Sequence, residues 1–288
     1  MIVARSPAEL EPAERAVAIG TFDGVHRGHR AVIEAARSSG LRSTVVTFDP
    51  HPRLVLGYEV QLLSTFERRA ELIADIGPHE LLAVAFTLEL SRLQPEEFVA
   101  RVLEPIGTRV VFAGEDFRFG AGRRGDVALL RSLGLEVRPV PLVAGVSSSR
   151  IRELARAGEV AVAAKLLGRP FELEGTVVTG DQRGGTLGFP TANLAADEHL
   201  LVPAYGIYAG AALGTRAAVS IGVNPHYGGR ERRIEAFLLD FQADLYGSRL
   251  RLELWQRLRE ERSFANEDEL VAQIDRDVEQ ARAARRPV

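Results

Sequence analysis

The sequence predicts two domains, a doubly wound α/β domain followed by an antiparallel β-barrel with one terminal helix. The chain has 288 residues, which is long enough for two domains. In its first half, short apolar runs alternate with helical patterns, whereas from about Phe171 the apolar residues recur with a period of two. The change of period predicts a join at Gly168-Arg169-Pro170, and therefore domains of residues 1–168 and 169–288.

The first domain is predicted to contain a parallel sheet. Its candidate strands are short and apolar on both faces, as strands buried between two layers of helices are. One helix is predicted to begin with Ser64 as N-cap and Glu67 at the third helical position, and another to begin near Pro95. The predicted strands cover residues 16–19, 44–48, 81–86, 109–113 and 136–140.

The second domain alternates apolar and polar residues, as strands with one buried face do. Residues 250, 252 and 254 are all leucine, and residues 209–213 and 217–223 flank a Gly-Thr turn that is typical of a hairpin. Frequent glycines favour a small barrel. The last helix is predicted to have Asn266 as its cap, Glu269 at the third position and an apolar stripe of Leu270, Ile274, Val278 and Ala281.

Composition excludes several classes of function. The net charge of −3 argues against binding nucleic acid, and the absence of cysteine excludes disulfides, thiolate metal sites and a cysteine nucleophile. The N-terminus lacks the apolar segment of a signal peptide, and the apolar runs are too short to cross a membrane. We therefore expect a cytoplasmic enzyme without a membrane partner. Lys165 is the only lysine, so a phosphate site here cannot use a P-loop lysine.

The first candidate site is the turn after the first predicted strand, where residues 20–29 read GTFDGVHRGH. Glycines at a strand-to-helix turn allow backbone N–H groups to approach a phosphate, and the helix N-terminus favours its negative charge. His26 and His29 share one face of the first helical turn and could donate hydrogen bonds to phosphoryl oxygens in the transition state. The residues expected to contact a nucleotide in this turn are Gly20, Phe22, Asp23 and Gly28.

Two simpler interpretations of this turn stay open. It could be a chance glycine-rich turn with two surface histidines. It could also be a zinc site, although no third candidate ligand lies nearby in the sequence.

Other segments are expected at the same site. Residues 147–152 read SSSRIR and open the last helix of the domain, where Ser147, Ser148, Ser149 and Arg152 would suit the β- and γ-phosphates of a nucleotide. An ordinary serine-capped helix is the alternative. Asp116 lies in GEDFRFG, after the fourth predicted strand, where open α/β sheets bind ligands. The segment TFDPHP at residues 47–52 follows the second predicted strand and is the weakest of these signals.

The second candidate site begins with a glycine-rich segment over residues 180–188, in which Gly180 and Gly188 are expected to wrap phosphates closely. Thr191 and Asn193 follow it. They are two residues apart, so in an extended chain their oxygens face the same way, and hard oxygen ligands of this kind suit Mg²⁺ bound to ATP.

Glu235 is the candidate general base of the second domain. It lies in a predicted strand over residues 234–241, whose alternate positions are Glu235, Phe237, Leu239 and Phe241. This pattern predicts a carboxylate on the apolar face of the strand, where burial would raise its pKa and suit it to accept a proton. The alternative is a glutamate at the barrel rim that pairs with Arg232 or Arg233.

These motifs resemble a known family. GTFDGVHRGH, TFDPHP, GEDFRFG and SSSRIR resemble the adenylyltransferase half of bacterial bifunctional riboflavin kinase/FAD synthetases, a Rossmann-like domain of the HxGH nucleotidyltransferase superfamily. GDQRGGTLGFPTANL, PAYGIYAG, VSIGVNP, RRIEAFLLDF and DLYG resemble the flavokinase half. The resemblance implies phosphorylation of riboflavin to FMN and adenylylation of FMN to FAD, both with ATP and Mg²⁺.

The resemblance also implies roles for individual residues. Thr191 and Asn193 would bind Mg²⁺ with the nucleotide, and Glu235 would take the proton from the riboflavin 5′-hydroxyl. The sequence departs from the family at Gly185, where arginine is usual, and at His226, where threonine is common.

Two other functional interpretations compete with an enzyme of two activities. One half could be catalytically silent, or the protein could bind flavins or nucleotides as a sensor. The intact HxGH and PTAN motifs argue against a silent half, and the presence of His26, His29 and Glu235 argues against a sensor. The sequence leaves the oligomeric state open.

Overall fold

A computed structural model describes residues 1–180, 188–223 and 232–288 and divides the chain into two units, Met1–Ser148 and Ser149–Val288. Within the described residues, none of the helices combines the length and the apolar character that crossing a bilayer requires.

The first unit is built on a six-stranded parallel sheet. Its strands are β1 (Ile2–Ala4), β2 (Arg15–Ile19), β3 (Arg42–Asp49), β4 (Glu80–Ala85), β5 (Thr108–Gly114) and β6 (Glu136–Val140). Its helices are α1 (Arg27–Arg37), α2 (Pro52–Val55), α3 (Phe66–Ala74), α4 (Leu88–Arg92), α5 (Pro95–Phe98), which a π-helical turn (Val99–Leu103) continues, and α6 (Val127–Ser132).

The strand order β1-β4-β3-β2-β5-β6 confirms the predicted doubly wound α/β fold. Alternate residues of each central strand enter two separate apolar cores: Val17 and Ile19 of β2 pack on one face, and Ala16 and Ala18 on the other. The chain runs outward from β2 through β3 and β4, and then returns to the other side of β2 through β5 and β6. The carboxyl ends of β2 and β5 therefore form the switch point at which such sheets bind ligands.

Two local features of this unit differ from the prediction. The edge strand β1 was not predicted, because only Ala4 of its three residues is buried and the segment has no clear apolar period. The N-cap of α3 is Thr65 rather than Ser64, since the Thr65 hydroxyl accepts the Arg68 N–H. Serine and threonine are both good N-caps, so the sequence could not show which of the two adjacent residues caps the helix.

The second unit is a closed antiparallel barrel with helices. The helices are α7 (Ser148–Arg156), α8 (Val160–Leu167) and α9 (Glu267–Ala283). The strands, β7 (Phe171–Val178), β8 (Ala192–Ala196), β9 (Gly206–Ala212), β10 (Thr215–Val223), β11 (Arg232–Leu238) and β12 (Arg249–Arg259), close in the order β10-β11-β8-β7-β12-β9.

The predicted barrel and terminal helix are confirmed. Leu250, Leu252 and Leu254 of β12 are buried, as their alternation predicts. The hairpin between β9 and β10 turns at Leu213 and Gly214, both with positive φ, one residue before the predicted Gly-Thr pair. Asn266 caps α9 by accepting the Glu269 N–H.

The contacts of α7 and α8 explain why these helices group with the barrel. The Ala204 N–H donates to the carbonyl of Ala155 in α7, and α8 packs against β12 and β7. The predicted join at residue 168 thus falls at the end of a helix that packs on the barrel, and the domain boundary remains a prediction.

A buried ion pair fixes the sheet at the amino ends of its strands. Arg15 and Glu80 are both 0% exposed, and their side chains approach to 2.7 Å. Arg42 and Thr44 donate to the same carboxylate. Although burial acts to raise the pKa of Glu80, the hydrogen bonds from Arg15, Thr44 and Arg42 hold that pKa below its usual value.

We expect Glu80→Gln to lower the free energy of unfolding of the first unit by about 3–5 kcal/mol, because Arg15 would lose its buried counter-charge. A lowered carboxyl pKa stabilises the fold above the pKa of the unfolded chain, and this contribution is lost as the pH falls through the folded pKa. The difference in unfolding free energy between wild type and variant should therefore be largest near pH 7 and become smaller in acid. Hydrogen exchange of the β2 and β3 amides measures this difference.

Glu136→Gln is the matched control, since Glu136 pairs with Arg138 at the surface. It should cost less than about 1 kcal/mol. An equal loss of unfolding free energy in both variants would mean that the buried ion pair stabilises the fold no more than a surface pair does.

Candidate active sites

The first candidate site is the turn between β2 and α1, at the switch point of the sheet. Phe22, Gly24 and Val25 all have positive φ there, at 51°, 78° and 37°. Such a conformation costs a residue other than glycine about 1–3 kcal/mol and persists only where its surroundings impose it. Contacts from outside the turn supply that constraint. The Ser64 hydroxyl, for example, accepts the Gly24 N–H at 3.2 Å.

His26 is the N-cap of α1. Its Nδ1 accepts the His29 N–H at 3.2 Å, and the two imidazole rings stack with centroids 3.5 Å apart. An accepting Nδ1 carries no proton, so the proton of a neutral His26 lies on Nε2. A Cβ at Gly28 would lie 3.3 Å from the His26 ring, which explains the small residue there. The capping bond therefore orients His26 with Nε2 as its donor atom.

Phe22 and Gly20 shape the turn from within. The Phe22 ring is buried and meets the His29 ring edge-on, with centroids 5.3 Å apart. A Cβ at Gly20 would lie 3.1 Å from the Phe22 ring, and the Gly20 N–H donates to the carbonyl of Val46 in β3. The two glycines and Phe22 thus fix the positions of the histidines.

Asp23 faces the interior of the protein. The residue is 2% exposed, and its carboxylate accepts the Leu63 N–H at 2.9 Å. Its own carbonyl accepts the Ser148 hydroxyl at 3.0 Å, a contact that lies within the first unit. The described contacts of the Asp23 side chain are structural, and its predicted contact with a nucleotide remains a prediction.

The structure places the other predicted residues of this site as follows. Asp116 is exposed in the loop after β5, at the same edge of the sheet as the turn. Ser147 and Ser149 are exposed beside Ser148, and Arg152 is buried within α7 in the second unit.

The second candidate site lies on the outer face of the barrel and is set by strand register. Glu235 in β11 stands directly opposite Asn193 in β8 on one side and Ser220 in β10 on the other. Directly opposed residues of an antiparallel pair point to the same face, with Cα atoms about 4.5–5.5 Å apart. The predicted base and a predicted metal ligand are therefore neighbours. Ser220, which was not predicted, completes the row.

The predicted environment of Glu235 is wrong. Ile234, Ala236 and Leu238 fill the barrel interior, so Glu235 and Phe237 face outward, and the Glu235 side chain is 32% exposed. Both sets of alternate residues contain apolar members, and the strand ends at Leu238 instead of continuing to residue 241. The structural alternative has some support, since Arg233 lies 3.8 Å from the Glu235 carboxylate.

The residues around Asn193 fit a hard cation bound to phosphates. Thr191 is half-buried directly before β8, and its hydroxyl and the Asn193 amide oxygen are hard oxygen atoms of the kind that suits Mg²⁺. A Cβ at Gly180 would lie 2.3 Å from the Asn193 amide, so only glycine leaves space for that side chain. In the described parts of the chain, no group of three His, Cys, Asp or Glu residues could hold a metal ion.

An aromatic pair borders the same face. The ring of Phe189, just before Thr191, meets the ring of Phe237 at 5.4 Å and nearly at right angles. Gly188 is exposed and has a φ of 88°, which favours glycine. Gly185 and His226, the two departures from the family pattern, lie outside the described residues.

The sequence also matches known families over both halves. The family model for FAD synthetase matches residues 8–151, and the model for riboflavin kinase matches residues 167–285. A bifunctional riboflavin kinase/FMN adenylyltransferase of Listeria monocytogenes is 36% identical over 96% of this chain and 94% of its own length. The enzyme of the same name from Escherichia coli K12 is 35% identical over 90% of this chain and 89% of its own length.

The chain belongs to the bifunctional riboflavin kinase/FMN adenylyltransferase family. The predicted membership is thereby confirmed.

A solved structure has the same fold along the whole chain. A crystal structure from Streptococcus pneumoniae superimposes with a TM-score of 0.89 and 30% identity, covering 99% of both chains. That protein is named a macrolide-efflux protein, whereas both family models and the sequence relatives carry enzyme names.

We expect Gly180→Ala to impair the kinase activity of this family member by about 10-fold or more, because the new methyl group would displace the Asn193 amide and misplace a bound nucleotide. FMN adenylylation should not change. Steady-state rates of the two reactions measure this. Gly214→Ala is the control: its φ of 79° strains the turn, but no atom lies near the new methyl group. A kinase loss in Gly214→Ala as large as in Gly180→Ala would contradict the steric argument.

Proposed function

We propose that residues 169–288 phosphorylate riboflavin to FMN, that residues 1–168 adenylylate FMN to FAD, and that each reaction consumes ATP. The family supplies the two activities. The observation that carries the assignment of residues is the grouping of the candidates: His26 and His29 stack at the switch point, and Asn193 and Glu235 share one row of the barrel.

In adenylyl transfer, a phosphate oxygen of FMN attacks the α-phosphorus of ATP, and pyrophosphate leaves. The nucleophile is already an anion, so no general base is required. His26, through Nε2–H, and His29 donate to the phosphoryl oxygens on which charge develops. The N-terminus of α1 adds its positive end, while the backbone at Gly20, Phe22 and Gly28 and the serines at residues 147–149 bind the remaining phosphate oxygens.

In the kinase reaction, the riboflavin 5′-hydroxyl attacks the γ-phosphorus of ATP, ADP leaves, and the hydroxyl must lose its proton. Glu235 accepts that proton through a carboxylate on the outer face of β11, where solvent and substrate can reach it. Thr191 and Asn193 would hold Mg²⁺, which neutralises phosphate charge when it is bound. Because Asn193 stands opposite Glu235, a nucleotide bound at Asn193 would lie next to the base.

A single assay tests both activities. The purified chain is incubated with riboflavin, ATP and Mg²⁺, and the flavins are separated by chromatography over time. FMN should form first and FAD should follow, with one pyrophosphate released per FAD. A sensor without catalysis would leave riboflavin unchanged, and a protein with one silent half would stop at FMN or convert only added FMN.

His26→Asn should lower the kcat of FMN adenylylation by about 10²–10³-fold, the effect of losing one oriented donor in the transition state. Asparagine is a good N-cap, so α1 should keep its start and the protein its melting temperature. His26→Ala removes both the cap and the donor. His79→Asn changes a histidine at the opposite end of the sheet, which hydrogen-bonds Ser43, and should leave the rate within about 3-fold.

Riboflavin phosphorylation should be normal in all three histidine variants. If His26→Asn reduced both activities together, the assignment of His26 to adenylyl transfer would be wrong.

Glu235→Gln should lower the kcat of riboflavin phosphorylation by about 10²–10⁴-fold, the usual effect of losing a general base. Glutamine is nearly isosteric, so the barrel should pack as before, and added FMN should still become FAD at the normal rate. Glu174→Gln removes a barrel carboxylate that pairs with Arg249 and should leave the kinase rate nearly unchanged. A Glu235→Gln enzyme within a few-fold of wild type would make Glu235 a structural partner of Arg233.

A further inference from the structure

Arg69 of α3 is a buried arginine that joins two neighbouring strands at the end of the sheet where the histidines lie. The residue is 4% exposed. One terminal nitrogen donates to the carbonyl of Thr21 after β2 and the other to the carbonyl of Phe48 in β3, both at 2.9 Å. The planar guanidinium reaches two diverging carbonyls at once, which a lysine cannot do.

The Thr21 carbonyl has a second side-chain donor. The hydroxyl of Thr47, a fully buried residue of β3, donates to it at 3.1 Å. Two donors from two different elements therefore fix the peptide that joins Thr21 to Phe22.

That peptide controls the geometry of the site. Phe22 follows it with a φ of 51°, and its ring stands edge-on to the His29 ring. If the Thr21 carbonyl rotated, the φ of Phe22 would change. The Phe22 ring would then move away from the His29 ring that packs against it. The histidine pair would then lose its orientation toward the phosphates.

We propose that Arg69, with Thr47, is a positioning residue for adenylyl transfer, because it holds the Thr21 peptide and thereby sets Phe22 and His29. The inference rests on the proposed role of His26 and His29. Arg69 itself touches no reacting atom in this account.

A comparison with Arg15 supports a role beyond stability. Arg15, at the other end of β2, is also buried and also donates to backbone carbonyls, but it pairs with the Glu80 carboxylate. Both hydrogen bonds of Arg69 go to carbonyls at the site end of the strands. Burial lowers the pKa of Arg69, which is the cost of placing the charge there, and the charge of Asp23 opposes this shift.

The test compares Arg69→Lys, Thr47→Val and the double variant in FMN adenylylation, with thermal unfolding measured in parallel. Each single variant should lower kcat by about 10- to 100-fold, the scale for small misplacements around a reacting group, with the KM for ATP within a few-fold of wild type. The double variant should lose less than the product of the two single effects, because both side chains act on one carbonyl. Riboflavin phosphorylation should stay normal throughout.

Arg15→Lys is the matched control. It should lower the melting temperature as a buried arginine variant does, yet keep the adenylylation kcat within about 2-fold at a temperature where the protein is folded. If Arg69→Lys and Thr47→Val destabilised the protein but kept their kcat, Arg69 would be a structural clamp and the inference would be overturned. Thr47→Val, a change of nearly constant volume, decides the matter if Arg69→Lys does not fold.

His29→Ala separates this inference from the proposed function. If His29→Ala retains its adenylylation kcat, the proposed role of the histidines fails. If His29→Ala loses activity while Arg69→Lys and Thr47→Val retain it, only the positioning role fails.

Discussion

The first site depends on one constraint: the turn after β2 must keep left-handed residues that the chain would not adopt alone. Phe22 and Val25 have unfavourable backbone conformations, which persist only where the surroundings impose them. The constraint comes from hydrogen bonds with β3, α3 and the segment around Ser64, which reach the carbonyl of Thr21 and the N–H of Gly24. The histidines are therefore positioned by residues far away in the sequence. This is the arrangement that a site relying on oriented donors requires.

The second site depends on register instead of on strain. A shift of one residue between β11 and β8 would turn Glu235 or Asn193 into the barrel interior, where Ile234 and Leu194 now pack. The apolar interior thus fixes the register, and the register fixes which polar residues meet outside. The pairing of Glu235 with Asn193 follows from packing on the opposite face of the same strands.

Periodicity could predict both folds because each rests on many residues at once. Contacts between single residues could not be predicted in the same way. Alternate residues of β11 lie on opposite faces of the strand, and both faces contain apolar residues. Phe237 made the outward face look like the buried one, so Glu235 was predicted to be buried. Arg69, in a helix reading FERRAELIA, resembles a solvated charge. Only the tertiary fold reveals that it is buried, because its partners are backbone carbonyls that leave no trace in the sequence.

The two sites differ in charge in the way that their nucleophiles require. In the proposed kinase reaction a hydroxyl nucleophile must lose its proton, and the barrel presents the Glu235 carboxylate on an accessible face. In the proposed adenylyl transfer the FMN phosphate is already negative, so an exposed carboxylate within the turn itself would repel it. The turn contains Asp23, but this side chain is withdrawn from the surface, accepts the Leu63 N–H and interacts favourably with the buried charge of Arg69. With Asp23 buried, residues 20–29 present no exposed carboxylate, so Arg69 would serve the site electrostatically as well as by position.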